Sequence, residues 1–315
     1  MVVYITGGSG FLGRQIVKYA KQKGYTVLAP RSSECDLSSL DGTVAWLEKQ
    51  KAEDRPVEAI VHSAAYYGGL NIVTTEPATM FFKNVRMIHN LFEAAARTGV
   101  RKIVSVGSSC SYPALAHDMR EEDFWSGPMH DSVVGYGFTK KVQLVAQTVY
   151  HQQYGIEGNH VVLTNLYGPF DVFTEYRGHA IAVLIKRYTD ASRLGLSEVV
   201  NWGDGTAVRE FLFVEDAAQV IAEFISMPHD LKPVNVGTGQ GVSIRELTEL
   251  IKELTNYRGD VVWDVNRPNG VPRKVMDVRR LAMLLPEFKP TPLKEGIART
   301  VSWYAANREE ASRRK

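Results

Sequence analysis

Short apolar runs alternate with longer amphipathic stretches along the first two thirds of the chain. The apolar runs have the length of strands and are nearly continuous, which is typical of strands covered on both faces. They lie at Val2–Thr6, Tyr25–Pro30, Ala59–Ala65, Lys102–Gly107 and His160–Leu166. The amphipathic stretches have the length of helices that connect parallel strands, and they lie at Phe11–Lys23, Leu40–Lys51, Pro77–Thr98 and Tyr136–Tyr154. This order of elements predicts an α/β fold built on a doubly wound parallel sheet.

The pattern changes after Gly168, where loops become longer and strands shorter. We expect residues 168–209 and about 240–315 to form a smaller C-terminal α+β lobe that holds the substrate. Residues 1–167 and about 210–239 would form the main domain, because Glu210–Val214 and Val234–Gly237 have the pattern of strands that return to its sheet.

The charge of the chain is nearly balanced, with 37 Lys and Arg residues against 35 Asp and Glu residues. This balance argues against a nucleic-acid-binding surface, and the basic cluster Arg313–Lys315 is interpreted as a solvated tail. The apolar runs are far shorter than the ~20 residues that a membrane span needs. The first residues lack the features of a secretory signal.

The chain contains two cysteines, Cys35 and Cys110. Two are too few for a disulfide framework or a cysteine-rich metal site. We therefore expect no metal and a reducing, cytoplasmic compartment.

A glycine-rich turn follows the first predicted strand and opens the first predicted helix, with the sequence Gly7-Gly8-Ser9-Gly10-Phe11-Leu12-Gly13. Glycines in this position form a tight turn and let backbone N–H groups approach a pyrophosphate at the helix N-terminus. The turn predicts a Rossmann-type dinucleotide site contacted by Gly7, Gly10, Phe11, Leu12 and Gly13. An ordinary glycine-rich turn between a strand and a helix is the alternative.

The end of the second predicted strand indicates which dinucleotide is bound. A carboxylate at this place usually holds the ribose 2′-hydroxyl of NAD, but here the strand ends in Ala29-Pro30-Arg31-Ser32-Ser33. Arg31 suits a 2′-phosphate, so NADP(H) is preferred and NAD(H) remains possible. Arg31 as a solvated loop residue is the alternative, and Asp36 would cap a helix or contact adenine.

Tyr136 and Lys140 are four residues apart, so on a helix they share one face. A positive charge ~4 Å from the phenol at an effective dielectric constant of ~20 is worth roughly 4 kcal/mol. Without the opposing effect of burial, this would lower the tyrosine pKa from about 10 toward about 7. Tyr136 could then exchange a proton with a sugar oxygen near neutral pH.

Ser108 and Cys110 follow a buried-looking strand, at the sheet edge where ligands bind. On an extended backbone, residues two apart face the same way, so a hydroxyl and a thiol would point into one site. A small buried apolar residue is the alternative role for Cys110.

These features together resemble the extended short-chain dehydrogenase/reductases that modify nucleotide sugars, over nearly the whole chain. The resemblance is carried by Gly7–Gly13, Asn84, Ser108, Tyr136 with Lys140, and Thr164–Pro169. Further segments narrow it to members that epimerise and then reduce GDP-4-keto-6-deoxy-mannose. Those segments are Ser63–Gly69, Ser108–Pro113, Gly178–Arg187, Trp202–Thr206, Arg209–Phe211 and Pro272–Val278.

The resemblance implies catalytic roles for five residues. Ser108, Tyr136 and Lys140 would form the reductase triad, and Cys110 and His179 would be the acid/base pair for epimerisation at C3 and C5. A 4-keto group acidifies both flanking carbons, so a base can form an enolate and an acid can return the proton to the other face. A thiol and an imidazole, with ordinary pKa values of about 8.5 and 6.5, suit that exchange.

The resemblance also implies the binding residues. NADP(H) would contact the glycine turn together with Arg31, Asp36, Ala64, Ala65, Tyr136, Lys140 and Leu166. A GDP-linked sugar would contact Ser109, Asn165, Arg187, Trp202 and Arg209. Considered alone, Arg187 and Arg209 could be surface charges and Trp202 part of the core of the lobe.

Three departures from the family pattern leave the exact sugar open. Ser9, Phe11 and Leu12 replace a basic residue and a Met-Val pair in the first turn. Tyr66-Tyr67 stands where a basic residue usually precedes paired glycines, and 170–177 is an individual stretch. A 4-keto-heptose or a 3,6-dideoxy sugar, an epimerase-only or reductase-only enzyme, and a non-catalytic NAD(P)-binding regulator are the alternatives. Regulators on this fold typically lose the tyrosine or the lysine.

Pro77–Thr98 and Tyr136–Tyr154 have apolar positions on more than one face. This pattern predicts a homodimer that pairs these helices, a form common in the superfamily. Broad burial within a monomer is the alternative.

Overall fold

The structure of the protein, a computed structural model, describes residues 1–68, 70–114, 116, 118–267 and 270–314. Gly69, the last residue of the segment Ser63–Gly69, and Lys315, the last residue of the basic cluster Arg313–Lys315, lie outside the described residues. Within these ranges the strands are β1 Val2–Thr6, β2 Thr26–Leu28, β3 Ala59–His62, β4 Lys102–Ser108, β5 Asp118–Met119, β6 Glu157–Leu163, β7 Asn165–Tyr167, β8 Glu198–Trp202, β9 Val208–Phe213, β10 Asp230–Val236, β11 Gly241–Ser243, β12 Asp260–Asp264 and β13 Arg273–Met276. The helices are α1 Phe11–Gln22, α2 Leu40–Ala52, α3 Leu70–Thr75, α4 Pro77–Thr98, α5 Val134–Tyr154, α6 Ala180–Leu194, α7 Val214–Phe224, α8 Ile244–Leu254, α9 Arg279–Leu284, α10 Leu293–Ala306 and α11 Arg308–Arg313.

In the part of the chain that the structure describes, six parallel strands form the main sheet in the order β10-β6-β4-β3-β1-β2. β1 pairs with β2 on one side and with β3 on the other, so the direction of winding reverses at β1. The carboxyl ends of β1 and β3 therefore border the crevice in which doubly wound sheets bind ligands. The predicted parallel sheet is confirmed.

The predicted strand His160–Leu166 is two strands in the structure, β6 and β7, separated by Thr164. β6 lies between β4 and β10 in the main sheet, whereas β7 pairs with β9. The Asn165 amide donates to the Glu210 carbonyl oxygen at 2.8 Å, which draws the chain out of the main sheet. Asn165 therefore lies at the junction of two sheets.

The prediction that Glu210–Val214 returns to the main sheet is wrong. These residues belong largely to β9, which pairs with β7, β11 and β13 in a second sheet. The buried Glu210 carboxylate accepts the N–H groups of Gly239 and Met276 at 2.8 Å each, and so ties the end of β10 to β13. β10 itself pairs with β6 in the main sheet, as predicted for Val234–Gly237.

Apolar cores lie on both faces of the main sheet and in the lobe. One face packs around Ile5 and Ile221, and the other around Ile60 and Leu91. A separate core around Ile185 joins α6, α8 and α10. Burial of these faces is the main stabilising contribution, at roughly 25 cal/mol per Å² of apolar surface.

The predicted solvated tail is wrong for Arg314 only, since the Arg313 side chain is 80% exposed. The Arg314 side chain is 17% exposed, and its guanidinium carbon lies 5.6 Å from the ring centroid of Phe170. The cause is α11, whose Ala311 packs into the core of the lobe. None of the described helices is long and apolar enough to cross a membrane.

Candidate active site

A cavity of about 860 Å³ runs along the carboxyl edge of the main sheet. Its walls come from the segments that follow β1, β2, β3 and β4, from the start of α5, and from the segment between β7 and α6. Every predicted catalytic residue lines it: Ser108, Cys110, Tyr136, Lys140 and His179. No group of three or more His, Cys, Asp or Glu side chains that could hold a metal ion occurs among the described residues.

The glycine turn has the geometry of a phosphate cradle. Gly7 has a φ of +68°, which favours glycine, and its carbonyl oxygen accepts the N–H of Gly10 at 2.9 Å. A Cβ on Gly13 would lie 2.0 Å from that same oxygen, so only glycine allows the helix to approach so closely. Gly10 stands at the N-cap of α1 and has no side chain to cap it, which leaves first-turn N–H groups beside the cavity. These residues fit a pyrophosphate.

The part of the cavity predicted to hold the adenosine of the cofactor contains more basic side chains than the sequence analysis assigned to it. Arg31 and Asp36 line the cavity, and so do Lys83 and Arg86 of α4, which sequence reasoning missed. Ser39 caps α2 by accepting the N–H of Gly42 at 3.0 Å, so the helix-capping role considered for Asp36 is wrong. Hydrogen bonds from Ser38 lower the pKa of Asp36.

Tyr136 and Lys140 lie on one face of α5, and both are buried. The Lys140 ammonium is 5.6 Å from the Tyr136 ring centroid and donates to the Val106 carbonyl oxygen at 2.9 Å. Burial lowers the pKa of Lys140 to about 8. Burial also raises the pKa of Tyr136, with a smaller effect of Cys110, so the expected lowering of that pKa is wrong. In this arrangement desolvation of the phenol determines the direction of the shift in pKa.

Ser108 ends β4, and Ser109 and Cys110 lie in the 3₁₀ turn Ser109–Ser111 that follows. Ser108 has the extended backbone expected, with φ −150° and ψ 144°, but the turn at Ser109 and Cys110 does not. All three residues line the cavity. The Cys110 N–H donates to the Ser108 hydroxyl oxygen at 3.2 Å. α5 packs so tightly on this turn that a Cβ on Gly137 would lie 2.3 Å from the Cys110 carbonyl oxygen.

His179 is the N-cap residue of α6, and two side chains that sequence analysis did not assign surround its imidazole. The Asp171 carboxylate is 2% exposed and lies 3.7 Å from His179 Nδ1. The Tyr67 ring centroid lies 5.4 Å from that of His179 and 4.3 Å from that of Tyr136. The sequence shows an aspartate, Asp171, in the individual stretch 170–177, close to His179 along the chain. It does not show that the Asp171 carboxylate points toward the imidazole.

The structure divides the remaining predicted residues into two groups. Ala64, Ala65, Asn165 and Leu166 line the cavity. Among the described residues, Arg187, Trp202 and Arg209 are not part of its lining, and each has neighbours on the surface of the lobe. Their contacts are a bidentate ion pair of Arg187 with Glu175, an Arg267 guanidinium 5.1 Å from the Trp202 ring, and a hydrogen bond from Arg209 to the Val208 carbonyl oxygen.

The parallel sheet, the glycine cradle and the buried tyrosine–lysine pair define a dinucleotide-binding enzyme of the dehydrogenase class. The chain belongs to the NAD dependent epimerase/dehydratase family, whose pattern matches residues 3–237. It is 35% identical to probable GDP-L-fucose synthase 1 of Oryza sativa subsp. japonica over 309 residues, which cover 97% of this chain and 92% of that protein. It is 33% identical to the GDP-L-fucose synthase of Escherichia coli (strain K12) over 317 residues, 98% and 97% of the two chains.

A solved structure agrees with this assignment. The GDP-L-fucose synthetase of Naegleria fowleri bound to NADP superposes with a TM-score of 0.89 at 26% identity, covering 99% of this chain and 95% of that one. The resemblance stated from the sequence is thereby confirmed.

Proposed function

We propose that this protein is an NADP-dependent epimerase/reductase that converts GDP-4-keto-6-deoxy-D-mannose to GDP-L-fucose. One observation carries the proposal. Ser108, Cys110, Tyr136, Lys140 and His179 line one cavity, in a chain that matches GDP-L-fucose synthases over nearly its full length.

The residues present fit NADP(H) at two places. The cradle of Gly7, Gly10 and Gly13 receives the pyrophosphate, and Arg31 with Lys83 and Arg86 supplies positive charge for a 2′-phosphate. When bound, NADPH supplies the hydride for reduction at C4 of the sugar. NAD(H) lacks the 2′-phosphate that these cations would neutralise, which favours NADP(H).

The chain supplies the proton chemistry around the C4 carbonyl. The hydroxyls of Ser108 and Tyr136 donate to the carbonyl oxygen and hold the enolate oxygen that forms when C3 or C5 loses its proton. The Cys110 thiol and the His179 imidazole remove and return protons at these carbons. Tyr136, neutral at physiological pH because burial raises its pKa, donates its proton to the C4 oxygen during reduction. Lys140 then re-protonates the phenolate.

The predicted domains suggest how binding is shared. Residues 1–167 with about 210–239 hold the cofactor, and residues 168–209 with about 240–315 hold the nucleotide sugar. Asn165 and Ser109 contact the sugar diphosphate inside the cavity, while Arg187, Trp202 and Arg209 serve the GDP end on the surface of the lobe. For this, Arg187 must exchange Glu175 for a phosphate oxygen, a contact for which arginine is well suited.

We also propose a homodimer that pairs α4 and α5 across a two-fold axis. Exposed apolar side chains on these helices support this, among them Phe81, Phe82, Phe138, Val145 and Val149. The ring centroids of Phe81 and Phe138 lie 6.4 Å apart, so the two helices form one patch. A catalytic thiol at Cys110 further favours a reducing compartment such as the cytoplasm.

The test is incubation with GDP-4-keto-6-deoxy-D-mannose and NADPH. We expect NADPH to be oxidised. In a parallel incubation, NADH should be oxidised more slowly. No oxidation, with related GDP-4-keto sugars also inert, would overturn the proposal in favour of a binding protein on the same fold. An epimerase-only enzyme would incorporate solvent deuterium without consuming NADPH.

A further inference from the structure

Two of the three departures from the family pattern, Tyr66-Tyr67 and the stretch 170–177, meet at the cavity. The Arg177 guanidinium donates to the Tyr67 carbonyl oxygen at 3.1 Å, which joins 170–177 to the Tyr66-Tyr67 pair. Arg177, Tyr66 and Tyr67 all line the cavity. Residues from both segments thus lie together at one side of the cavity, near the residues that match the pattern.

The backbone at Tyr67 is held from both sides. The Asn84 side chain accepts the Tyr66 N–H at 2.8 Å and donates to the Tyr66 carbonyl oxygen at 2.9 Å. Arg177 binds the next carbonyl oxygen, that of Tyr67. The phenol of Tyr66 turns away, because its hydroxyl donates to Glu76 at 2.7 Å. Of the pair, only the Tyr67 ring lies between Tyr136 and His179, tilted by 38° to the Tyr136 ring and stacked on the His179 ring.

The position of the Tyr67 ring between Tyr136 and His179 determines which part of a bound sugar it contacts. Tyr136 must reach the oxygen on C4, and His179 must reach C3 or C5. A ring in contact with both side chains therefore lies along the C3–C4–C5 edge of the sugar. The substituent on C5 moves from one face of the sugar to the other during epimerisation, so the space beside this ring limits its size.

We propose that Tyr67 is a specificity-determining residue that selects a 6-deoxy sugar, whose C5 substituent is a methyl group, over a heptose, which carries two hydroxylated carbons there. This rests on the proposed function. An aromatic face packs favourably against a methyl group, whereas a longer hydroxylated chain would lose hydration against it. Pockets that distinguish one methylene group typically do so by about 10–200-fold.

The test compares kcat/KM for GDP-4-keto-6-deoxy-mannose and for the corresponding GDP-4-keto-heptose. We expect the wild-type protein to prefer the 6-deoxy sugar by about tenfold or more. Tyr67→Ala and Tyr67→Leu should reduce that ratio by about tenfold, through gain on the heptose. Tyr67→Phe should keep it, because the ring and not the hydroxyl limits the space. Tyr66→Phe, the neighbouring control, should also keep it.

The outcomes separate the inference from the function on which it rests. If the wild-type protein turns over neither sugar, the proposed function is wrong. If it turns over the 6-deoxy sugar and the ratio is unchanged in both Tyr67→Ala and Tyr67→Leu, only the inference is wrong. Binding of NADP, measured by fluorescence, shows whether each variant is folded. If Tyr67→Ala does not fold, Tyr67→Leu alone decides the test.

Discussion

Two sides of one cavity are built in different ways. The catalytic floor, formed by Ser108, Cys110, Tyr136 and Lys140, lies on β4, its 3₁₀ turn and α5. The loop wall, formed by Tyr67, Asp171, Arg177 and His179, lies on connecting segments and the first residue before α6.

The floor is fixed by regular backbone structure, whereas the wall is fixed by contacts between side chains and distant backbone. Lys140 binds the carbonyl oxygen of Val106 in β4, under the site. Arg177 binds the carbonyl oxygen of Tyr67, 110 residues away in the chain. In the proposed mechanism, reduction therefore depends on the scaffold, and epimerisation depends on both sides, through Cys110 and His179. Sugar selection depends on loops that can vary without disturbing the scaffold.

The largest expected effect is on the floor. Tyr136→Phe removes the hydroxyl that we propose protonates the C4 oxygen, and reduction should fall by about 10²–10⁴-fold. NADPH oxidation measures it. Tyr112→Phe is the matched control, because Tyr112 is also a buried tyrosine but bonds Asn235 outside the lining of the cavity. Equal rates for the two variants would contradict the role of Tyr136.

The second effect separates epimerisation from reduction on the same floor. Cys110→Ser replaces the thiol by a much weaker acid, so solvent-deuterium incorporation at C3 and C5 should fall by about 10²-fold or more. Reduction of a substrate that is already epimerised should continue. Cys35→Ser, on the segment after β2, serves as the thiol control and should exchange deuterium normally. Unchanged exchange in the Cys110 variant would remove the cysteine from the mechanism.

A smaller effect is expected on the wall. In the proposed mechanism Asp171 is a positioning residue, because its carboxylate lies 3.7 Å from His179 Nδ1 and faces the positive charge that His179 carries after it takes a proton from the sugar. Asp171→Asn should therefore slow deuterium exchange about tenfold, which corresponds to about 1.4 kcal/mol, and leave reduction of the epimerised substrate unchanged. If both rates fall together, Asp171 is required for the fold of the loop instead.

The smallest effect is a change of stability with pH. Lys140 releases its proton near pH 8 in the folded protein, against an ordinary pKa of 10.5. Between these values the unfolded chain binds more protons, so the free energy of unfolding gains a contribution that rises with pH. Urea titrations should show a shallower rise for Lys140→Met than for the wild-type protein. Identical slopes would show that the ammonium is not desolvated.

The sequence was sufficient to predict the floor because its signals are local. Tyr136 and Lys140 are separated by one helical turn, and Ser108 ends a strand whose continuous apolar pattern marks burial. The glycine turn was predictable for the same reason, since the spacing of its glycines determines its shape. The direction of the Tyr136 pKa was not predictable, because it depends on how completely the fold buries the phenol.

The wall could not be predicted because no local pattern determines it. Asp171 and His179 are eight residues apart on a loop whose path depends on the second sheet, and Tyr67 is placed by Asn84 and Arg177. β9 was assigned to the wrong sheet for a related reason. Its apolar pattern is that of a buried strand in either sheet, whereas its pairing with β7, β11 and β13 and the contacts of Glu210 appear only in the fold.

In the proposed function the floor and the wall together epimerise and reduce one substrate. The direct measurement is NMR analysis of the product formed from GDP-4-keto-6-deoxy-D-mannose and NADPH in deuterium oxide. We expect GDP-L-fucose with deuterium at both C3 and C5. A reduced GDP-6-deoxy-hexose with no deuterium at either carbon would contradict this, because neither Cys110 of the floor nor His179 of the wall would then exchange a proton with the sugar.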